Sequence, residues 1–140
     1  MARDFTKIDK ALFAGAKAVR ENAHVPYSNF KVGAAILAED GNIYTCCNVE
    51  NAAYPQSVCA EAGAISTMIA SGQKKIKRLY VIGAGVEPVM PCGGCRQKIR
   101  EFADQDVVII SHGIDGEPLA LTLEQLLPHS FGPENLQVIK

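Results

Sequence analysis

Residues 59–95 read CAEAGAISTMIASGQKKIKRLYVIGAGVEPVMPCGGC, and the fold follows from how this stretch is punctuated. After Cys59, the small residues Ala60, Gly63 and Ala64 are interleaved with Ile65, Met68 and Ile69 at helical spacing, which predicts a helix over residues 59–71, stopped at Gly72. The small side chains imply that this helix approaches its support closely. Leu79-Tyr80-Val81-Ile82 is then a short continuous apolar run, a buried strand within residues 77–84; because it follows a helix, a crossover to a parallel neighbour is expected. Pro91 precedes a second cysteine pair, and Gln97, Lys98, Ile99, Glu101 and Phe102 continue a short helix to Ala103. Val107-Val108-Ile109-Ile110 supplies the next strand.

Upstream, Phe5, Ile8, Leu12, Ala16 and Val19 recur every three or four residues among Lys7, Lys10, Lys17, Arg20 and Glu21, the pattern of an amphipathic helix over residues 5–22. Asp4 or Thr6 is placed to cap its start, and Pro26 forces an extended or turn conformation after it. Residues 30–37 and 43–49 read as two antiparallel strands joined by Glu39-Asp40-Gly41-Asn42, which carries the Asp-Gly hairpin signal. Residues 51–58 suit an ordered loop, residues 123–127 a helical turn or two, and residues 128–133 an irregular segment. The order helix, strand, strand, helix, strand, helix, strand predicts a three-layer α-β-α domain of the α/β class with a mixed sheet; a roughly five-stranded sheet is expected, four strands of which are placed. Both cysteine clusters then open helices at a sheet edge, where sites gather in such folds.

A chain of 140 residues, 48% of them hydrophobic, can bury a sizeable core without disulfides, so a single domain over residues 1–140 is expected. The net charge of -1, from 14 basic and 15 acidic residues, gives no global field for holding nucleic acid or an anionic membrane. No basic start leads into a long apolar run, so neither a signal peptide nor a membrane span is indicated and a cytoplasmic protein is expected. In a reducing compartment, five cysteines that include Cys92-x-x-Cys95 and a distant Cys59 point to a metal rather than to disulfides.

Cys59, Cys92 and Cys95 offer three thiolates to one zinc ion, which leaves a fourth position for water. Glu61, two positions after Cys59, is placed to carry a proton rather than to ligate. The competing reading is a structural zinc module, completed by Cys46 or Cys47, that binds nucleic acid or protein; such a module has no use for Glu61. The basic run Lys74, Lys75, Lys77 and Arg78 suits a solvated helix end. Gly83-Ala84-Gly85 lacks the rest of a dinucleotide fingerprint, and His24, His112 and His129 show no ligand spacing.

The cysteine and glutamate arrangement matches the zinc deaminase signature with Cys in place of its first His. Beyond that core the chain resembles the small homotetrameric cytidine deaminases, through Pro26-Tyr27-Ser28-Asn29-Phe30-Lys31-Val32-Gly33-Ala34-Ala35, Asn48-Val49-Glu50-Asn51-Ala52-Ala53-Tyr54-Pro55, Cys59-Ala60-Glu61, Pro91-Cys92-Gly93-Gly94-Cys95-Arg96-Gln97, Leu126-Leu127-Pro128 and Ser130-Phe131-Gly132-Pro133. The resemblance implies hydrolytic deamination of cytidine and deoxycytidine in pyrimidine salvage, by attack of a zinc hydroxide on C4 with Glu61 as proton shuttle. It implies that Asn48 and Glu50 bind the sugar hydroxyls, that Phe30 walls the pocket, and that Tyr54 and Phe131 reach the site of a neighbouring subunit in a homotetramer. A related zinc deaminase acting on another aminated heteroaromatic, such as a nucleoside antibiotic, is the alternative.

One position departs from the family pattern. Ala62 stands where members with a cysteine ligand usually have an arginine that offsets the thiolate charge. Three thiolates on Zn²⁺ carry a net charge of -1, which weakens the metal as an acid. Two compensations are legible: the helix N-termini behind Cys59, Cys92 and Cys95, and Arg96 folding back toward the Cys92 sulfur.

Overall fold

The first helix, α1 (Lys7–Arg20), begins where Thr6 and Asp9 satisfy each other's backbone. Asp9 N donates to Thr6 Oγ1 at 3.2 Å and Thr6 N donates to Asp9 Oδ2 at 3.1 Å, a capping box that occupies two otherwise orphaned N–H groups. The structure, a computed structural model, describes residues 6–113 and 116–137, so the expected contributions of Asp4 and Phe5 lie outside the described residues. After α1 come β1 (Gly33–Ala38), β2 (Ile43–Cys47), a single 3-10 turn (Tyr54–Gln56), α2 (Ala60–Ala70), β3 (Ile76–Ile82), α3 (Gly93–Phe102) and β4 (Ala103–His112). The chain continues through β5 (Leu119–Thr122), α4 (Leu123–Leu126) and α5 (Pro133–Gln137).

These strands form one mixed five-stranded sheet in the order β2-β1-β3-β4-β5. β3 and β4 are the parallel pair and the remaining neighbours are antiparallel. Because successive strand residues face opposite sides, β1 divides its side chains between two cores. Ala34, Ile36 and Ala38 meet Ala64, Ile65 and Met68 of α2 and Ile99 of α3 on one face. Ala35 and Leu37 join Leu12 and Ala16 of α1 with Tyr80 and Ile110 on the other. Helices on both faces explain why β1 and the runs at residues 79–82 and 107–110 are apolar without alternation. No helix among the described residues is long and apolar enough to cross a membrane.

Several boundaries differ from the sequence reading. β1 starts at Gly33 rather than at Phe30, because Asn29 adopts a left-handed backbone (φ 59) and the Asn48 side chain takes over the hydrogen bonding of residues 30 and 32. β4 starts at Ala103, directly after α3, instead of at Val107, through a register shift opposite residues 76–78. The edge strand β5 is too short for its alternation to stand out, and α5 begins at Pro133, the last residue of the stretch expected to be irregular, and continues where no element is expected. The basic run is dispersed: Lys75 pairs with Asp104 at 3.2 Å, while Arg78 turns inward onto Asp9.

That inward pair ties α1 to the middle of the sheet. Arg78 Nε and Nη2 donate to the Asp9 carboxylate at 2.5 and 3.1 Å, and Asp9 is only 1% exposed. A partly buried guanidinium left without its carboxylate is far costlier than the pair is favourable. Asp9→Ala is therefore expected to destabilise the fold by about 3 kcal/mol, seen as a lowered urea midpoint, whereas Lys75→Ala at the exposed pair changes stability by less than about 1 kcal/mol.

Candidate active site

The sheet register decides which residues can meet. Gly33 lies opposite Cys47 on one side and Ile82 on the other, and Ile82 lies opposite His112, so one end of four strands forms a common edge. The segments that leave or enter at this edge are 23–32, 48–59 and 83–92. α2 and α3 both begin there, with Cys59 and Cys92 as their N-cap residues in extended conformation and Cys95 in the first turn of α3.

The sulfurs of Cys59, Cys92 and Cys95 all lie within 4.8 Å of one another, the only such cluster of potential ligands among the described residues. A tetrahedral zinc with bonds of about 2.3 Å to sulfur needs sulfurs about 3.8 Å apart. Soft thiolates at that spacing fit zinc. Cys46 and Cys47 are half-buried in β2, and Cys46 faces α2: a Cβ added at Gly63 would meet its sulfur at 2.5 Å. Gly63 is thus the close approach that the run of small residues implied, and Cys46 serves packing.

The three thiols experience different surroundings. Burial pushes the Cys59 thiol up, and burial reinforced by the nearby Glu61 carboxylate pushes the Cys95 thiol up as well. The Cys92 thiol is pulled down, chiefly by the backbone N–H of Cys95 and also by that of Gly94. Those donors are the orphan amides of the α3 N-terminus, so the first of the two expected compensations for Ala62 is present at Cys92. The second is not. Arg96 turns away from the sulfur: its Nε donates to Pro91 O at 2.7 Å and its Nη1 to Leu126 O at 2.8 Å. Two carbonyls left over at a turn and at the end of α4 attract the guanidinium more effectively than a sulfur already served by backbone amides. Arg96 instead pins the turn that presents Cys92. Ala62 is half-buried and faces a groove between α2 and α3 that also receives Ile65, Ile69 and Gln97.

Glu61 is 5% exposed, and burial raises its carboxyl above the usual range. It lines a cavity of about 170 Å³ together with Val32, Asn48, Cys59, Val89 and Cys92. A second cleft of about 420 Å³, lined by Tyr27, Ser28, Glu50, Tyr54 and Val58, shares Asn48 and Cys59 with the first. The two adjoin at these residues.

Asn48 stands at the junction. Its Oδ1 accepts from Val32 N and its Nδ2 donates to Phe30 O, each at 2.9 Å. These bonds leave one amide hydrogen and one lone pair for a ligand. Glu50 is held by the opposite loop: Oε1 accepts from Tyr27 N at 3.0 Å and from Ser28 N at 3.1 Å, and Oε2 accepts from Ser28 Oγ. The Ser28 hydroxyl and these amides keep the Glu50 carboxyl below its usual range. Tyr54 is 69% exposed and packs edge-on against Tyr27, ring centroids 5.7 Å apart. Phe30 does not line either cavity; its ring lies over Gly83, beside Val89. Phe131 is 58% exposed on the C-terminal segment, outside the cleft.

The structure therefore brings Glu61, Asn48, Glu50 and Tyr54 to the three cysteines and leaves Phe30 and Phe131 aside. Ser28, Val32 and Val89 had not been singled out. Ser28 carries a local signal, a hydroxyl residue just before a turn residue, but its partner is 22 positions away. Nothing in the sequence marks Val89.

Comparison with known proteins agrees with this geometry. Residues 6–111 match the family model described as the cytidine and deoxycytidylate deaminase zinc-binding region. A cytidine deaminase of Sporosarcina psychrophila is 44% identical over 125 residues, which cover 89% of this chain and 92% of that protein. The crystal structure of cytidine deaminase from Burkholderia pseudomallei superposes with a TM-score of 0.83 at 39% identity, covering 87% of this chain and 98% of that one. That of cytidine deaminase from Mycobacterium tuberculosis gives a TM-score of 0.77 at 35% identity, covering 88% and 96%. With sulfurs and carboxylate gathered at one sheet edge and a family model spanning most of its length, the chain belongs to the cytidine and deoxycytidylate deaminase family.

Proposed function

We propose that this protein is a single-domain, cytoplasmic enzyme that hydrolyses cytidine and deoxycytidine to uridine and deoxyuridine with release of ammonia. Cys59, Cys92 and Cys95 hold zinc, and two or more copies, a homotetramer on the family's pattern, share their sites. The observation that carries this reading is Glu61: a carboxyl 5% exposed, lining a cavity that Cys59 and Cys92, two of the three mutually close cysteines, also line. A structural zinc site would have no reason to bury a carboxyl there.

When bound, zinc would supply Lewis acidity, lowering the pKa of a water from about 15.7 toward roughly 7. Glu61 accepts the proton that the attacking water gives up and passes it to N3 of the pyrimidine as the water oxygen bonds to C4; it then carries the remaining proton of that new C4 hydroxyl to the amino nitrogen, so that the C4–N bond breaks, ammonia leaves and the C4 carbonyl forms. Burial suits this role, since a carboxyl raised toward neutrality exchanges protons in both directions. Asn48 and Glu50 each keep hydrogen-bonding capacity toward the cleft and hold the ribose hydroxyls. Their other bonds fix them beforehand, which reduces the entropy lost on binding. Tyr27 and Tyr54 form an apolar rim, and Phe30 acts as a wall only through its packing beside Val89. The cleft offers a neutral nucleoside a polar end for its sugar and a narrow end for its base.

Incubating zinc-loaded protein with cytidine, deoxycytidine, cytosine, adenosine and guanosine should release ammonia from the two cytosine nucleosides; turnover confined to a purine or to the free base would sink the proposal. Glu61→Gln is expected to lower kcat by about 10² to 10⁴-fold with the zinc content of the purified protein unchanged. Glu50→Gln, which loses charge-assisted bonds, should raise KM for cytidine by about tenfold or more with zinc content again unaffected.

A further inference from the structure

The segment after α4 is fastened to α3 by a buried charge. Arg100 is 5% exposed; its Nε donates to Ser130 Oγ at 2.8 Å and its Nη2 to Glu134 Oε1 at 2.6 Å. One turn earlier on the same helix, Gln97 Nε2 donates to Phe131 O at 2.9 Å. Gly132 lies so close to the guanidinium that an added Cβ would meet Arg100 Cζ at 2.4 Å. Within the segment, Gly132 N donates to Asn135 Oδ1 at 2.8 Å, Asn135 N donates to Gly132 O at 3.0 Å, and His129 takes a left-handed backbone (φ 53). Residues 129–135 therefore form a hook whose backbone is held at several points while the Phe131 side chain remains 58% exposed.

Holding the backbone so firmly gives the Phe131 ring little packing return inside its own chain, which leaves it more than half exposed. The return comes on contact with a second surface, where an aromatic fixed in advance loses little entropy. This chain supplies such a surface: Tyr27, Tyr54 and Val58, which line the cleft, are 52, 69 and 44% exposed. The planar fork of Arg100 suits the task, because it reaches Ser130 and Glu134 at once, as a point charge on a lysine would not.

We propose that Arg100, assisted by Gln97, is a positioning residue for catalysis in a neighbouring subunit: by bridging Ser130 and Glu134 it fixes the hook that carries Phe131 into that neighbour's substrate cleft. This rests on the reading that Phe131 reaches another subunit's site. One helix then has two duties, with Cys95 in its first turn serving its own metal site and Arg100 beyond it serving the next subunit's pocket.

Steady-state kinetics on cytidine with Arg100→Gln, Glu134→Ala and Phe131→Ala, followed by mixed oligomers, tests the idea. Arg100→Gln should raise KM by between about ten- and a hundredfold, with zinc content unchanged, and Glu134→Ala should act in the same direction by less. Oligomers refolded from equal amounts of Arg100→Gln and Glu61→Gln chains should regain a KM near that of the unaltered protein, because Glu61→Gln chains lend intact hooks to neighbours that have Glu61. A hybrid KM as high as that of Arg100→Gln alone would mean that the contact acts only within its own chain, and would overturn the proposal. An unchanged KM in Phe131→Ala would remove both the reading of Phe131 and this inference. A raised KM there beside unaltered Arg100→Gln and Glu134→Ala would keep that reading and overturn the role of Arg100. If Arg100→Gln does not fold, Glu134→Ala, whose carboxylate side chain is 59% exposed, carries the same hybrid test.

Discussion

Two helix N-termini meet at one end of the sheet, and the arrangement of the site depends on that constraint. α2 ends where β3 begins and α3 begins after β3 ends, so the start of each helix lies at the carboxyl end of β3. Unsatisfied backbone N–H groups point into the space between them, and thiolates are the side chains that this partial positive charge favours. The same edge releases the chain after β2 and admits it before β1, which brings Asn48 and Val32 to the cavity. The three cysteines, Glu61, Asn48 and Glu50 are neighbours because the strand register makes their segments neighbours.

Charge balance at the centre follows from the same geometry. Three thiolates outweigh a divalent cation by one charge. With Ala62 in place of an arginine, the compensation that is visible comes from backbone amides at Cys92, supplied by Gly94 and Cys95. Each helix terminus contributes about 0.3 to 1 kcal/mol, up to about 2 when partly buried, against about 1.5 to 3 kcal/mol for a charge-assisted hydrogen bond. The dipoles thus cover part of what a guanidinium would give. Arg96, the nearest alternative in the chain, serves geometry instead by bracing Pro91 and Leu126.

Much of the architecture was legible because each signal is local. Helical spacing marked α1 and α2, Gly72 (φ 94) ends α2 as expected, and the apolar runs marked β3 and the core of β4. The early part of β1 was misread because its first residues look like a strand, while a side chain sixteen positions away, Asn48, replaces the strand partner they would need. β5 escaped notice because four residues on a sheet edge carry too little alternation. The cysteines and Glu61 were legible because metal-binding residue types at fixed spacing are rare by chance. Ser28 and Val89 were not, since a hydroxyl and an aliphatic side chain are common everywhere.

By itself the sequence determined the principal helices and strands and the inventory of reactive groups: three thiols, one carboxyl beside the first, and an amide and a second carboxylate after a strand. Those are properties of residue type and of periods shorter than a helical turn. Tertiary structure alone decided how each polar group is used. Glu50 answers to Ser28, Asp9 to Arg78, Arg96 to Leu126 and Arg100 to Glu134, over separations of 22, 69, 30 and 34 residues. A hydrogen-bonding group takes the partner that the packed backbone places within about 3 Å, and no local pattern encodes which distant segment that is.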